Sequence, residues 1–473
     1  MICTVQVCAQ NSTEAADTNL APPETIDDKQ QMDELRERLR ILEDSYAAAQ
    51  AEKDKKDNRT EPEWIDVSNQ PWTHTVLGSM MFDYVTFADT DANFQNVYGN
   101  PANYSEIRRL WLGFTGRGYG VYEYHLRFDF SPENPAIVND EQTGQPIQTF
   151  EPFVAVMDAW VAIHETPYVE YLRFGQGKVD CGLESLTSLK FTQFMERPPA
   201  SSFFTFNYKT GLQQAGTYFD DTILFQNGAF FGQDYRYIKE LIGDNQGFLW
   251  STRLVWLPIN ENDSRSLLHL GGDMNYSAGR DIRFNMLPDT FESVLTIFLG
   301  QIAIDDYFMG NVEMSTNIGR FFAQSELFVA NYNQPDGNNF SAYGAYAYAG
   351  MFLTGENRAY NTDLGCFSRT RPLTNFWLVD TCYGCDAGWG AWEIAARWDY
   401  IDTSQVPLNK GAIGGLVNNF TLALNWYWNP NARMMFEYIR SCPFTDKRDA
   451  DGTFHPGVAS STDILGMRIQ YDF

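Results

Sequence analysis

The chain has 473 residues, enough for two or three ordinary domains or one large barrel. Its formal net charge of -27 excludes a nucleic-acid surface of the usual kind, because phosphate backbones are held by clustered lysine and arginine. Mean hydropathy is -0.36 and no run reaches the roughly 18 apolar residues of a spanning helix, yet aromatic residues make up 15% of the chain.

Residues 1–31 are small, polar and acidic and read as a disordered leader. Within them Val7, Cys8 and Ala9 fit the last positions before a cleaved export signal whose start lies upstream. Met32, Leu35, Leu39, Leu42, Tyr46 and Ala49 then recur in steps of three and four. That seam predicts a coiled-coil helix over 32–52, too short to be stable without partner helices. A charged linker, 53–72, follows, and everything from 73 to 473 has a different texture.

From Thr75 onward, apolar and polar residues alternate in segments separated by Gly, Asn, Asp and Pro clusters. In "VYEYHLRFDF", Tyr122, Tyr124, Leu126, Phe128 and Phe130 share one face, opposite Glu123, His125, Arg127 and Asp129. "FLWSTRLVW" sets Phe248, Trp250, Leu254 and Trp256 against Ser251 and Arg253. "GAWEIAARWDY" sets Trp392, Ile394, Trp398 and Tyr400 against Glu393, Arg397 and Asp399. "NNFTLALNWYW" repeats the pattern with Phe420, Leu422, Leu424, Trp426 and Trp428. Such segments suit membrane-crossing strands of roughly 9–11 residues, with the aromatic face turned to lipid and the polar face to water.

The connections alternate in length. A first strand near 75–86 precedes a long loop, 88–104, and the next link is the tight "GRGYG". The long 131–151 precedes the short "HETPY", and a long segment, 178–202, follows the fifth strand. This is the spacing of long outer loops and short inner turns. The tally reaches sixteen strands, the last being 464–473, with 354–388 as a long segment on the turn side. The predicted fold is therefore all-β, a sixteen-stranded antiparallel transmembrane β-barrel with an N-terminal helical coiled-coil extension. In the last strand, Leu465, Met467, Ile469, Tyr471 and Phe473 share a face and the chain stops at that aromatic, which resembles the C-terminal signal of outer-membrane barrels.

Chemistry-bearing motifs are sparse. The pair "CYGC" (Cys382, Cys385) lacks a second pair or nearby histidine to complete a zinc site, so Cys366, Cys382 and Cys385 are read as disulfide partners or free structural thiols. His125, His164 and His269 sit on polar faces, but no GxSxG, HExxH or Ca²⁺-loop pattern accompanies them. No metal, cofactor or enzymatic role is predicted.

Three stretches carry a family resemblance: "RFGQGKVDCGLESLTSLKFTQFMERP", "AGMFLTGENRAYN", and "GAWEIAARWDYID" with the following "LALNWYWNPNARMMFEYI". They are similar to the phosphate-selective porins, the O/P porin family, over about residues 165–473. The resemblance implies an outer-membrane barrel, usually a homotrimer, in contact with the lipid bilayer and passing small ions and solutes. Loops folded into the lumen would narrow it. The third, about 178–202, would contribute Lys178, Asp180, Glu184, Lys190, Glu196 and Arg197 to a constriction. The fifth would lie near 277–292, and an infolded turn would suit 354–388.

The inward faces then assign a pore lining of Arg109, Glu123, His125, Arg127, Asp129, Arg173, Arg253, Asp273, Glu393, Arg397, Asp399, Arg433, Glu437 and Arg468. Both signs are interspersed. Pairs on a wet wall contribute only about 0–1 kcal/mol each, so this list gives no net field for anions. Passive diffusion of ions and small hydrophilic solutes is the first reading, with anions such as phosphate left open. The alternatives are a barrel enzyme and a structural barrel that ties the envelope together through its coil.

Overall fold

The structure is a computed structural model and describes residues 72–131, 136–139, 146–149, 154–166, 169–231, 247–278, 282–286, 297–381 and 384–473. The leader and the predicted coiled-coil helix over 32–52 lie outside the described residues, as does nearly all of the linker.

Sixteen strands form the wall. They are β1 (Thr75–Thr90), β2 (Tyr104–Gly118), β3 (Tyr122–Asp129), β4 (Ala155–His164), β5 (Tyr171–Lys178), β6 (Tyr208–Tyr218), β7 (Ile223–Phe231) and β8 (Phe248–Glu261). They continue as β9 (Ser266–Ala278), β10 (Asp306–Ile318), β11 (Phe321–Asn333), β12 (Asn339–Phe352), β13 (Ala391–Asp402), β14 (Ile413–Asn429), β15 (Ala432–Arg448) and β16 (Thr462–Asp472). Each pairs antiparallel with its neighbour in sequence. β16 pairs back onto β1, from Ser79 opposite Asp472 to Thr90 opposite Thr462. The ring is closed, so no strand edge is left unpaired in lipid.

Alternation decides which way the wall faces. Phe82, Tyr84, Phe174, Leu212, Leu254, Trp256, Val312, Trp398 and Leu465 are exposed on the outside. Their neighbours in sequence, among them Asp83, Arg253 and Arg397, are buried inside. A soluble sheet would reverse this distribution; a lipid-facing barrel requires it.

Short links join the strands at one end: 119–121, 165–170, 219–222, 262–265, 319–320 and 430–431. The C-terminal Phe473 lies at that end too, its backbone N–H donating to Gly78 O. The other end carries the longer loops. Expected boundaries shift by a few residues: β1 runs to Thr90 rather than 86, and the third loop spans 179–207. The fifth loop begins after Ala278, later than 277, and holds a hairpin of Ile282–Met286 with Ile297–Ile302. The long turn-side segment is 353–390 and contains two small strand pairs outside the wall, Tyr360–Asn361 with Cys366–Phe367 and Trp377–Thr381 with Gly384–Gly388.

Among the described residues, three short helices decorate the loops: α1 (Ala92–Tyr98), α2 (Leu183–Leu186) and α3 (Pro199–Phe204). α3 starts with Pro199, whose missing N–H is one the helix would leave unpaired anyway. It packs on β12 where Gly344 leaves room: a Cβ there would meet Phe204 Cε2 at 2.5 Å. Phe204 also stacks on Phe328 at 5.6 Å, so the third loop is held inside the barrel by an apolar contact.

Candidate functional site

The third loop crosses the lumen, and the inner wall grips it residue by residue. At its start, the Glu326 carboxylate on β11 accepts from the N–H groups of Leu183 at 2.8 Å and Glu184 at 3.0 Å. Asp273 on β9 accepts from Gly182 N–H at 2.9 Å. These acids satisfy the buried N–H groups at the start of α2, which have no partner within the helix. Further along, Arg433 donates to Thr192 O at 2.6 Å and Leu189 O at 3.1 Å. Glu437 accepts from Met195 N–H, Arg397 donates to Glu196 O at 2.9 Å, and Arg468 donates to Met195 O.

Glu196 is the loop's own anchor. Its carboxylate receives two bonds from Arg108, at 2.8 and 3.0 Å, and one from Arg468 at 2.6 Å. Arg108 was invisible to alternation, which pointed to Arg109 alone. A β-bulge explains it: Met81 faces Arg109 and Phe82 faces Ile107, so Arg108 is an extra residue on β2. The bulge lets Arg108 reach Glu196 while Arg109 lies 5.9 Å over Trp111.

The turn-side segment enters from the opposite end. Arg253 on β8 donates to Gly365 O at 2.8 Å, and His269 on β9 lies 2.6 Å from the Tyr360 hydroxyl. Arg358 is buried, donates to Tyr348 Oη at 2.9 Å and sits 3.4 Å over the Phe367 ring. Phe367 N–H reaches Thr187 Oγ1 at 3.4 Å, so this segment meets the third loop inside the barrel.

The ion pairs on this side of the lumen correct the expectation of a wet wall. Arg253 and Glu313 pair at 2.7 Å with both side chains 0% exposed, and Arg397 and Asp399 pair at 2.7 Å with almost no exposure. The loop and the turn segment cover them and exclude water. Breaking one partner of such a pair leaves a buried charge and costs about 3–5 kcal/mol, well above the surface value. Glu393 is equally dry and accepts from Asn425 at 2.9 Å and Tyr427 Oη at 2.9 Å.

The wall of β3 to β5 remains partly exposed. Arg127 pairs with Asp158 at 2.6 Å, bonds the Tyr208 hydroxyl and lies 4.7 Å over Trp111. Trp111 Nε1 in turn donates to Asp129 at 2.8 Å. Arg173 donates to Gln213 and to Lys178 O, the latter at 2.6 Å. His125 stacks on Trp160 at 5.4 Å, and Glu123 lies 2.6 Å from His164 Nε2 and 3.4 Å from Arg117.

Of the six residues expected at the constriction, Glu196 is the anchor described above, and the other five separate into two groups. Asp180 and Glu184 are buried, Glu184 accepting from Gln324 at 2.8 Å and Tyr348 Oη at 3.1 Å. Lys178 is the last residue of β5 rather than part of the loop, and its ammonium reaches Ser185 O. Arg197 donates to Glu184 O at 3.1 Å and Thr187 O at 2.9 Å. Lys190, Arg197 and Lys178 are partly exposed, and Arg127 is near enough to each for their charges to interact. Arg369, from the turn segment, stands near Lys190 and pairs with Asp472; no sequence pattern indicated it.

Among the described residues, no group of His, Cys, Asp and Glu could hold a metal ion. Cys181 and Cys366 are buried free thiols and Cys442 an exposed one, while the side chains of Cys382 and Cys385 lie outside the described residues.

Comparison with known proteins agrees with this barrel. The profile of the family "Phosphate-selective porin O and P" matches residues 84–473. Porin O of Pseudomonas aeruginosa is 24% identical over 407 residues, covering 80% of this chain and 84% of its own. An uncharacterised protein of Caulobacter vibrioides is 23% identical over 389 residues, covering 78% and 68% respectively. Among solved structures, an anion-selective porin from Comamonas acidovorans aligns with a TM-score of 0.49 at 11% identity, covering 85% of this chain and 100% of that one. OmpT of Vibrio cholerae in its trimer form aligns with a TM-score of 0.49 at 10% identity, over 85% and 100%. The protein belongs to the phosphate-selective porin O and P family and is an outer-membrane porin, a channel for ions and small solutes.

Proposed function

We propose that this channel favours anions, phosphate among them, in spite of the chain's net charge of -27. One observation carries the reading: the acids of the lumen are spent on structure. Glu326, Asp273 and Glu437 hold backbone N–H groups of the third loop, and Glu313, Glu393 and Asp399 are buried in pairs or hydrogen bonds. Among the described residues, the lumenal cations that keep partial exposure include Arg109, Arg127, Arg173, Lys178, Lys190, Arg197 and Arg369, of which Arg127 and Arg369 also pair with Asp158 and Asp472. Asp158, Glu123 and Glu196 stand among them, each already paired with a cation or a histidine. In a narrow lumen, local charges sort ions, and acidic residues elsewhere on the chain are screened beyond about 10 Å.

On this reading Arg109, Arg127, Arg173, Lys178, Lys190, Arg197 and Arg369 make the conducting face. Arg253, Arg397, Arg433 and Arg468 fix the loops that leave that face open. The family resemblance favours a homotrimer, with the heptad seam at 32–52 as an added oligomerising element. The test is chloride current through single channels in a planar bilayer as inorganic phosphate is added. Saturable reduction of the current supports a lumenal anion site; a current that ignores phosphate contradicts one.

A further inference from the structure

The connection between β12 and β13 has two parts with opposite destinations. Residues 356–372 go into the lumen, where Glu356, Arg358, Phe367 and Thr370 are buried. From Leu373, 62% exposed, the chain leaves the lumen and turns under the barrel rim. Phe376 N–H donates to Trp428 O at 2.6 Å, and the Phe376 ring meets the Trp426 ring at 4.6 Å. Trp426 and Trp428 are on the lipid-facing side of β14, opposite the inward Asn425 and Tyr427. The segment has therefore passed from the inside of the barrel to its outside.

We infer that residues 373–381 and 384–390 form a foot that rests in the headgroup layer of the periplasmic leaflet. Two tryptophans project from it: Trp377 is 68% exposed and Trp389 76% exposed. Trp377 adopts φ 64, a left-handed conformation that is strained for a bulky residue and persists only where the surrounding structure enforces it. Trp389 O accepts from two indoles of the wall, Trp426 Nε1 at 2.8 Å and Trp392 Nε1 at 3.2 Å. Those wall indoles stack at 5.0 Å, so the foot continues their surface outward.

The occupant follows from that continuity. Trp392, Trp426 and Trp428 face lipid at the short-turn end, which is periplasmic in outer-membrane barrels. Elsewhere on the same rim Tyr122, Tyr471, Phe473 and Phe219 are exposed, so the aromatic girdle runs on either side of the foot. Tryptophan prefers the membrane interface because its ring is apolar and its N–H is polar. A foot continuous with a girdle is placed at the same depth.

The test uses the full-length protein in phosphatidylcholine vesicles whose acyl chains carry bromine either near the headgroup or near the chain end. Fluorescence of the wild type minus that of a Trp377→Ser, Trp389→Ser double variant isolates the two indoles. Strong quenching of that difference by shallow bromine, and weak quenching by deep bromine, is the expected result. A difference signal untouched by either lipid would overturn the inference by placing the foot in water or in a protein contact. Loss of the oligomer in the double variant, again without lipid quenching, would likewise overturn it in favour of a second copy of the chain. Where the serine variant does not fold, Trp377→Phe with Trp389→Phe yields the same difference signal with the rings kept.

Discussion

Arg468 grips both carboxylate oxygens of Asp83, at 2.7 and 2.6 Å, across the seam where the last strand meets the first. The two residues face each other in the register that closes the ring. Arg468 is 0% exposed and also donates to Glu196 at 2.6 Å, so one guanidinium fastens the barrel closure and the third loop together. A planar fork with several donors suits that double duty, whereas lysine could not reproduce it.

Replacing Arg468 by Met should therefore act on both. Asp83 and Glu196 would lose a buried partner, a cost of about 3–5 kcal/mol. The temperature at which the barrel unfolds on semi-native gels is expected to fall, and open-channel current noise to rise as the loop loosens. A variant with wild-type unfolding and quiet current would show that Arg108 alone holds Glu196.

Much of this was legible in the alternation. Glu393, Arg397 and Asp399 fall on the inner face because a strand's period is two, and the expected inward residues of β16, Arg468 and Gln470, follow the same rule. Arg108 was hidden because a bulge breaks that period, and a bulge depends on the partner strand rather than on local sequence. The dryness of Arg253 and Glu313 was hidden for another reason. It depends on a segment about residue 365 folding back onto β8, and nothing in the spacing of either stretch encodes that encounter.

Arg358 should hold the turn-side segment in the lumen. It donates to Gln324 Oε1 at 3.1 Å and Tyr348 Oη at 2.9 Å, and the Phe367 ring lies against it at 3.4 Å. Arg358→Ala is expected to release residues 356–372 and raise single-channel conductance, while semi-native gels still show a folded barrel. Unchanged conductance would mean that the segment stays in place through Arg253 and His269.

At the other end, Asp91 caps α1, accepting from Phe94 N–H at 2.7 Å and from Ser461 Oγ at 3.0 Å. Burial raises its carboxyl pKa, but these hydrogen bonds outweigh burial and hold it below the ordinary 3.8. Because the folded value is the lower one, the cap contributes stability above the ordinary value and loses it as pH falls through the folded value. Hydrogen exchange at residues 92–98 should be protected at neutral pH and accelerate under acid. Asp91→Ala should remove about 1 kcal/mol of that protection at neutral pH and abolish its pH dependence.

Lys190 is half-buried, with Asp472, Arg369 and Arg127 all near enough for their charges to act on its ammonium. Lys190→Glu should lower the anion-to-cation permeability ratio several-fold without changing barrel stability. Lys190→Gln should give an intermediate ratio, since it removes the charge without reversing it. A ratio indifferent to both substitutions would move the selective charge elsewhere in the lumen.

The reversal potential of the wild-type channel in a potassium chloride gradient tests the central claim most directly. With the lumenal acids committed to the infolded loop, to buried pairs or to partners on the wall, and several cations left partly exposed, its sign should be that of an anion-favouring pore. A cation-favouring sign would contradict this and mean that the chain's excess of carboxylates governs the channel after all.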